Sequence, residues 1–140
     1  MFSAHKERIV TGTALVLAVL AIGLIDNFFI MWLFLGLTYL VAFYEANKLF
    51  GIENNNMLYG YAAILWIVAA VYPYGDDLFI LAGLLFASVV AYKQELKWKY
   101  MLPFLYPTAG MLFILTLYQE YQVTSLLWLL IVVALTDVGA

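Results

Sequence analysis

The sequence predicts an all-α, polytopic integral membrane protein of about six transmembrane helices with short loops and both ends cytoplasmic. Three observations predict it. Of the 140 residues, 67% are hydrophobic and 11% charged, with a mean hydropathy of +1.00, far above the roughly half-apolar usage of soluble domains. The apolar residues fall into stretches of membrane-crossing length, and the charges are sorted between alternate breaks. A soluble chain of this size would leave large apolar patches in water. The chain has no cysteine, which excludes a disulfide, a zinc-thiolate site and a thiol nucleophile.

A crossing helix needs about 20 apolar residues, because the hydrocarbon core is about 30 Å thick and each residue rises about 1.5 Å. The stretches that qualify or nearly qualify are 9–25, 28–50, 57–72, 78–92, 101–118 and 123–140. The first begins with basic residues like a signal peptide, but no small-residue cleavage site stands out, so it reads as an uncleaved span. The second ends at Gly51, with Lys48 in its last turn. The fourth is short, and Lys93 and Lys97 are expected to snorkel and extend it by a turn. Pro103 and Pro107 open the fifth, either as a helix start with a kink or as a broken helix lining a cavity. The breaks "DN", "GIENNN", "PYGDD", "KQELKWKY" and "QEYQ" hold turn formers or charge that would be costly in hydrocarbon.

Lys6, Arg8, Lys48, Lys93, Lys97 and Lys99 all fall on one side of that alternation, and the opposite breaks carry Asp26, Asp76, Asp77 and Glu120 without a basic residue. The positive-inside rule then places both ends in the cytoplasm, hence a multi-pass protein of the cytoplasmic (inner) membrane. Tyr44, Tyr59, Tyr72, Tyr74, Tyr92, Trp98, Tyr100, Tyr118 and Tyr121 flank the spans as an interfacial aromatic belt would. The loop "KQELKWKY" suits anionic headgroups, although most such loops only set topology. Ala14 and Ala18 give one weak small-residue helix contact.

Asp137 is the sharpest candidate functional residue. An ionisable side chain in an apolar span is by default a site hypothesis; the plain alternative is that the span ends near Leu135 and Asp137 starts a loop before Gly139. Thr136 and Gly139 would let a hydroxyl and bare backbone approach a ligand. Glu45, in "FYEANKLFG", could add oxygen ligands for a divalent cation on the same side, though a helix-end Glu that pairs with Lys48 or reaches headgroup water is the favoured reading. His5 reads as a solvated terminal histidine. No Walker loop, GxSxG elbow, HExxH pair or histidine cluster is present.

Three stretches together, "KERIVTGTALV", "YLVAFYEANKLFG" and "LLWLLIVVALTDVGA", resemble the N-terminal part of the phosphatidate cytidylyltransferase (CDP-diacylglycerol synthase) family. The resemblance follows the whole chain in order. The family's signature, a Ser followed by a Lys-Arg pair and then Lys-Asp, lies downstream of Asp-x-Gly-Ala and is missing here. The chain therefore reads as one membrane domain, 1–140, cut before the C-terminal catalytic signature and inactive alone. The resemblance implies CTP and phosphatidate as substrates, magnesium as cofactor, membrane lipids as surroundings and no nucleic acid; a homodimer is compatible with it. By matched position it makes Asp137 a metal-site candidate, and Thr136, Gly139 and Glu45 weaker nucleotide-site or substrate-site candidates. Two other readings stay open: a non-enzymatic membrane component such as a transporter half, and a CTP-dependent polyprenol kinase-like enzyme.

Overall fold

A computed structural model describes residues 2–53 and 55–139, without the side chains of 2–9, 11, 15 and 138. The readings of His5, Lys6 and Arg8 lie outside those described side chains. Helices account for nearly everything described: α1 (Phe2–Ile25), α2 (Phe28–Leu49), α3 (Asn56–Val71), α4 (Gly75–Tyr92), α5 (Met101–Pro103) and α6 (Ala109–Gly139), and no strand occurs among the described residues. The all-helical expectation is borne out.

Asparagines start two of these helices. Asn27 caps α2 by accepting from the amides of Phe29 and Ile30, at 2.9 and 3.3 Å, and Asn55 caps α3 by accepting from Met57 N at 3.0 Å. Each satisfies donors that a helix start leaves open. Gly51, at φ +59, turns the chain out of α2. Helix α4 begins at Gly75, not at Leu78, and ends at Tyr92. Its length is therefore made up at the N-terminal end, where Asp76 and Asp77 favour the helix dipole, and Lys93 leaves the helix instead of extending it.

The fifth expected span is broken. The chain passes from α5 through 104–108, where Tyr106 is extended (φ −127, ψ 117), before α6 begins. Pro107 has no N–H to give the carbonyl four residues back, so Thr108 Oγ1 donates to Pro103 O at 3.2 Å, and Tyr39 OH lies 2.8 Å from the same hydroxyl. Phe104, Pro107 and Thr108 are buried, so the break is filled with side chains. Phe104 stacks on Phe79 (5.1 Å between centroids, 5° between planes) and on Phe86. The broken-helix alternative is realised, but its kink packs the core.

A second break divides α6. Gln122 has φ 58 and ψ −157, and Ser125 Oγ reaches the Gln122 and Leu117 carbonyls at 2.8 and 3.0 Å. An unbroken helix from Trp98 to Asp137, 40 residues, would run about 60 Å, twice the hydrocarbon thickness. Among the described residues, three helical stretches are long and apolar enough to cross a membrane, Phe28–Leu49, Gly75–Tyr92 and Trp98–Asp137, and Gly12–Ile25 and Asn56–Val71 are shorter apolar helices.

Long-range hydrogen bonds sort the loops into two ends. Lys99 Nζ donates to Gly51 O at 3.1 Å, which joins the connection after α2 to the one after α4. At the other end Tyr118 OH donates to Asp26 Oδ1 at 3.3 Å, and Gln119 Nε2 to Ala69 O at 3.5 Å. The charge alternation read from the sequence thus corresponds to two places in space: an end with Lys48, Lys93, Lys97 and Lys99, and an end with Asp26, Asp76, Asp77 and Glu120. Tyr118 does not join the aromatic belt. It is 2% exposed, because its ring stacks on Phe28 and its hydroxyl is taken by Asp26.

Candidate functional site

Helix α6 runs past Leu135 to Gly139, so Asp137 belongs to a helix and does not start a loop. Its side chain is exposed, as is every described residue from Ile131 onward. The Thr136 hydroxyl is spent on its own helix, donating to Val132 O at 2.7 Å. At Gly139 an added Cβ would meet nothing within 4 Å, so no close approach requires glycine there.

Glu45 is exposed near the end of α2. No ion pair joins it to Lys48 among the described residues, so of the two helix-end arrangements expected the pair is not formed, and its exposure suits a carboxylate at headgroup level. Nor does a hydrogen bond or ion pair link Glu45 to Asp137. Among the described residues no three His, Cys, Asp or Glu side chains come together in a group that could hold a metal ion. Magnesium binds through carboxylates, substrate phosphates and water in near-octahedral geometry. Asp137 as a lone exposed carboxylate does not provide such a site, and the residues described here do not fit a magnesium centre by themselves.

Two features escaped the sequence reading. Asn47 is 1% exposed, and neither its side-chain Nδ2 nor its Oδ1 has a hydrogen-bond partner among the described residues. Its backbone carbonyl accepts from Ile52 N at 2.8 Å and closes the turn after α2. It stands two residues from Glu45 and is buried where Glu45 is exposed, so the two do not form one site. A polar residue in an apolar span was the available signal, but the neighbouring charges drew the attention. The second feature is the Tyr39–Thr108 hydroxyl pair, which ties the buried face of α2 to the proline break. In the basic loop, Lys93, Lys97 and Trp98 are exposed, while Lys99 is held by Gly51.

Apolar helices with much of their aliphatic surface exposed, joined by charged ends, define a helical integral membrane protein. The chain is similar to two curated proteins, the phosphatidate cytidylyltransferases of Helicobacter pylori strains J99 and 26695. Each is 33% identical over 136 residues, 97% of this chain and 51% of the relative. The family resemblance read from the three motifs is thereby borne out, and a match of this extent is consistent with an N-terminal portion. The chain spans about half the length of the curated relatives it matches. No family profile matches it, and no solved structure does.

Proposed function

We propose that this chain is the N-terminal membrane portion of a CTP:phosphatidate cytidylyltransferase. The observation that carries the reading is the 33% identity over 97% of the chain to proteins of that name. In the proposed reaction a phosphate oxygen of phosphatidate attacks the α-phosphorus of CTP, the bond to the β-phosphate oxygen breaks, and CDP-diacylglycerol and pyrophosphate form. No covalent protein nucleophile is required, so the protein contributes by positioning the two substrates and compensating their charge. Magnesium is part of the proposal by family resemblance alone.

The proposed topology has six crossings, α6 being divided at Gln122 into an outgoing and a returning half. The returning half then carries Asp137, with Thr136 and Gly139 beside it, to the end that holds the lysines. The positive-inside rule supports a cytoplasmic location for that end, in the inner membrane and within reach of CTP. Glu45 lies at the same end in this topology and serves as a weaker candidate for contact with substrate. The isolated 140-residue chain is expected to be inactive, because among the described residues no group of His, Cys, Asp or Glu could hold a metal ion.

The test is formation of CDP-diacylglycerol from labelled CTP and phosphatidate in membranes containing the complete reading frame that encodes these residues. Magnesium-dependent product is the expected outcome. Phosphorylated polyprenol without CDP-diacylglycerol, or ion-coupled uptake with no response to CTP, would overturn the reading.

A further inference from the structure

In the loop after α4 the aliphatic residue turns inward and the cations are left over. Leu96 and Tyr100 pack against the core, while Lys93, Lys97 and Trp98 are exposed, Trp98 by 70% and the adjoining Tyr92 by 89%. Leu96 N donates to Lys93 O at 2.9 Å, which closes a turn, and Tyr100 N donates to Lys97 O at 3.0 Å. A closed turn holds its ends within about 7 Å, so the Cα atoms of Lys93 and Lys97 lie at most about 11 Å apart and both flexible stems can reach one anion between them. Lys99 Nζ is fixed on Gly51 O at 3.1 Å, a neutral acceptor that leaves its charge uncompensated and ties the loop to the end of α2.

We propose that this loop binds the headgroup of a phospholipid that ends in a phosphate monoester. An anion is called for because no ion pair or hydrogen bond engages the Lys93 or Lys97 ammonium among the described residues, although Glu95 lies exposed in the same turn. Against that one carboxylate the loop has three lysines, a surplus of two positive charges. The exposed Glu45 and Glu53, on α2 and the connection after it, form no ion pair with the loop lysines among the described residues. The lipid source is argued from the aromatics: Tyr92 and Trp98 flank the lysines, and exposed amphipathic rings beside cations settle at headgroup level. The monoester is argued from charge. Near pH 7 it carries about 1.5–2 negative charges and three terminal acceptor oxygens, a better match than a singly charged diester for two ammonium groups with three donors each. No bond is made or broken at the loop, which gathers lipid at the membrane surface. The inference rests on the proposed reaction only in that a phosphomonoester lipid is its substrate.

The experiment is native mass spectrometry of the protein encoded by the complete reading frame, released without CTP from phosphatidylcholine vesicles that hold equal amounts of phosphatidate and phosphatidylglycerol. Wild type is expected to retain phosphatidate preferentially. Lys93→Gln combined with Lys97→Gln is expected to lower the ratio of the two retained lipids about fivefold, the attraction that one lysine adds for the extra charge at a membrane surface. Lys93→Arg combined with Lys97→Arg keeps the charges and is expected to keep the ratio, which separates lost charge from lost fold. Lys48→Gln, at the same end but outside the loop, is expected to leave the ratio unchanged. Equal retention of both lipids by wild type, an unchanged ratio in the double glutamine variant, or an equal fall in Lys48→Gln would overturn the proposal. Inorganic phosphate displacing phosphatidate at equal concentration would overturn the lipid source. The two readings fail separately: a lysine-dependent preference without CDP-diacylglycerol synthesis sinks the reaction and supports the loop, and synthesis with an unchanged ratio does the reverse.

Discussion

Replacing Asp137 by alanine in the complete reading frame is expected to lower CDP-diacylglycerol formation by about 100-fold, the scale of losing one preorganised charged group from a polar active site. The argument starts from cost. A carboxylate in an apolar helix is unfavourable to insert, by about 3 kcal/mol at mid-membrane and less near an end. Nothing in the described structure repays it, for Asp137 has no ion pair or hydrogen bond among the described residues. Removing it should therefore leave the fold intact or slightly more stable, and a loss of rate would report on chemistry. Asp137→Asn sharpens the reading: if the negative charge matters, asparagine fails like alanine, whereas a hydrogen-bonding role would be rescued. Glu45→Gln, on the exposed face of α2, is expected to stay within about threefold of wild type, as surface substitutions usually do. Full activity in Asp137→Ala would return that residue to an ordinary helix end.

A large stability effect is expected at Gly36. A Cβ there would overlap the Trp66 indole, with Trp66 Cδ1 only 2.8 Å away. The indole cannot tip aside freely. Trp66 Nε1 donates to Trp32 O at 3.2 Å and Trp32 Nε1 to Trp66 O at 3.0 Å, a reciprocal pair between α2 and α3. In an apolar surrounding no water replaces a broken bond. Overpacking of a filled core costs about 1–3 kcal/mol and a lost hydrogen bond about 1 kcal/mol, against just under 1 kcal/mol regained from alanine's better helix propensity. The steric term wins, and Gly36→Ala is expected to lose about 2 kcal/mol. Gly60→Ala is the control, since an added Cβ there meets nothing within 4 Å; it should gain about 0.5–1 kcal/mol from propensity alone. Thermal unfolding in detergent separates them. A melting temperature that rises in both would contradict the close packing of α2 on α3.

What the sequence made legible follows from how the membrane acts as a solvent. The positions of α2, α3 and α4 could be read to within a few residues because hydrocarbon demands long apolar runs and pushes Asp26, Asn55 and Lys93 into the breaks. The two-ended charge pattern was legible for the same reason, and the Lys99–Gly51 and Tyr118–Asp26 bonds give it a physical location. Packing was not legible. Tyr118 looks like an interfacial tyrosine by position, and only the fold reveals Phe28 and Asp26 as its partners. Pro107 announces a break, but whether the break is hollow depends on Phe104 and Thr108 filling it. Asn47 stands out as a polar residue in an apolar span, but beside Glu45 and Lys48 its type alone does not tell a buried side chain from an exposed one. The left-handed backbone at Asp26 and Gln122 also depends on tertiary contacts and could not be found from composition or spacing. As for the proposed active site, the sequence supplied Asp137 and a family likeness, and the structure adds that its described neighbours alone do not build a metal centre.

The central claim is that α6 turns back at Gln122 and returns Asp137 to the end that carries the lysines. Because the chain has no cysteine, single cysteines can report on this directly. Lys97→Cys, Glu120→Cys and Thr136→Cys would each be labelled with a membrane-impermeant maleimide in intact cells and in inverted membrane vesicles. Positions 97 and 136 are predicted to label only in inverted vesicles, and position 120 only in intact cells. Labelling of 136 together with 120 would contradict the account, since Asp137 would then lie on the side of the membrane away from cytosolic CTP.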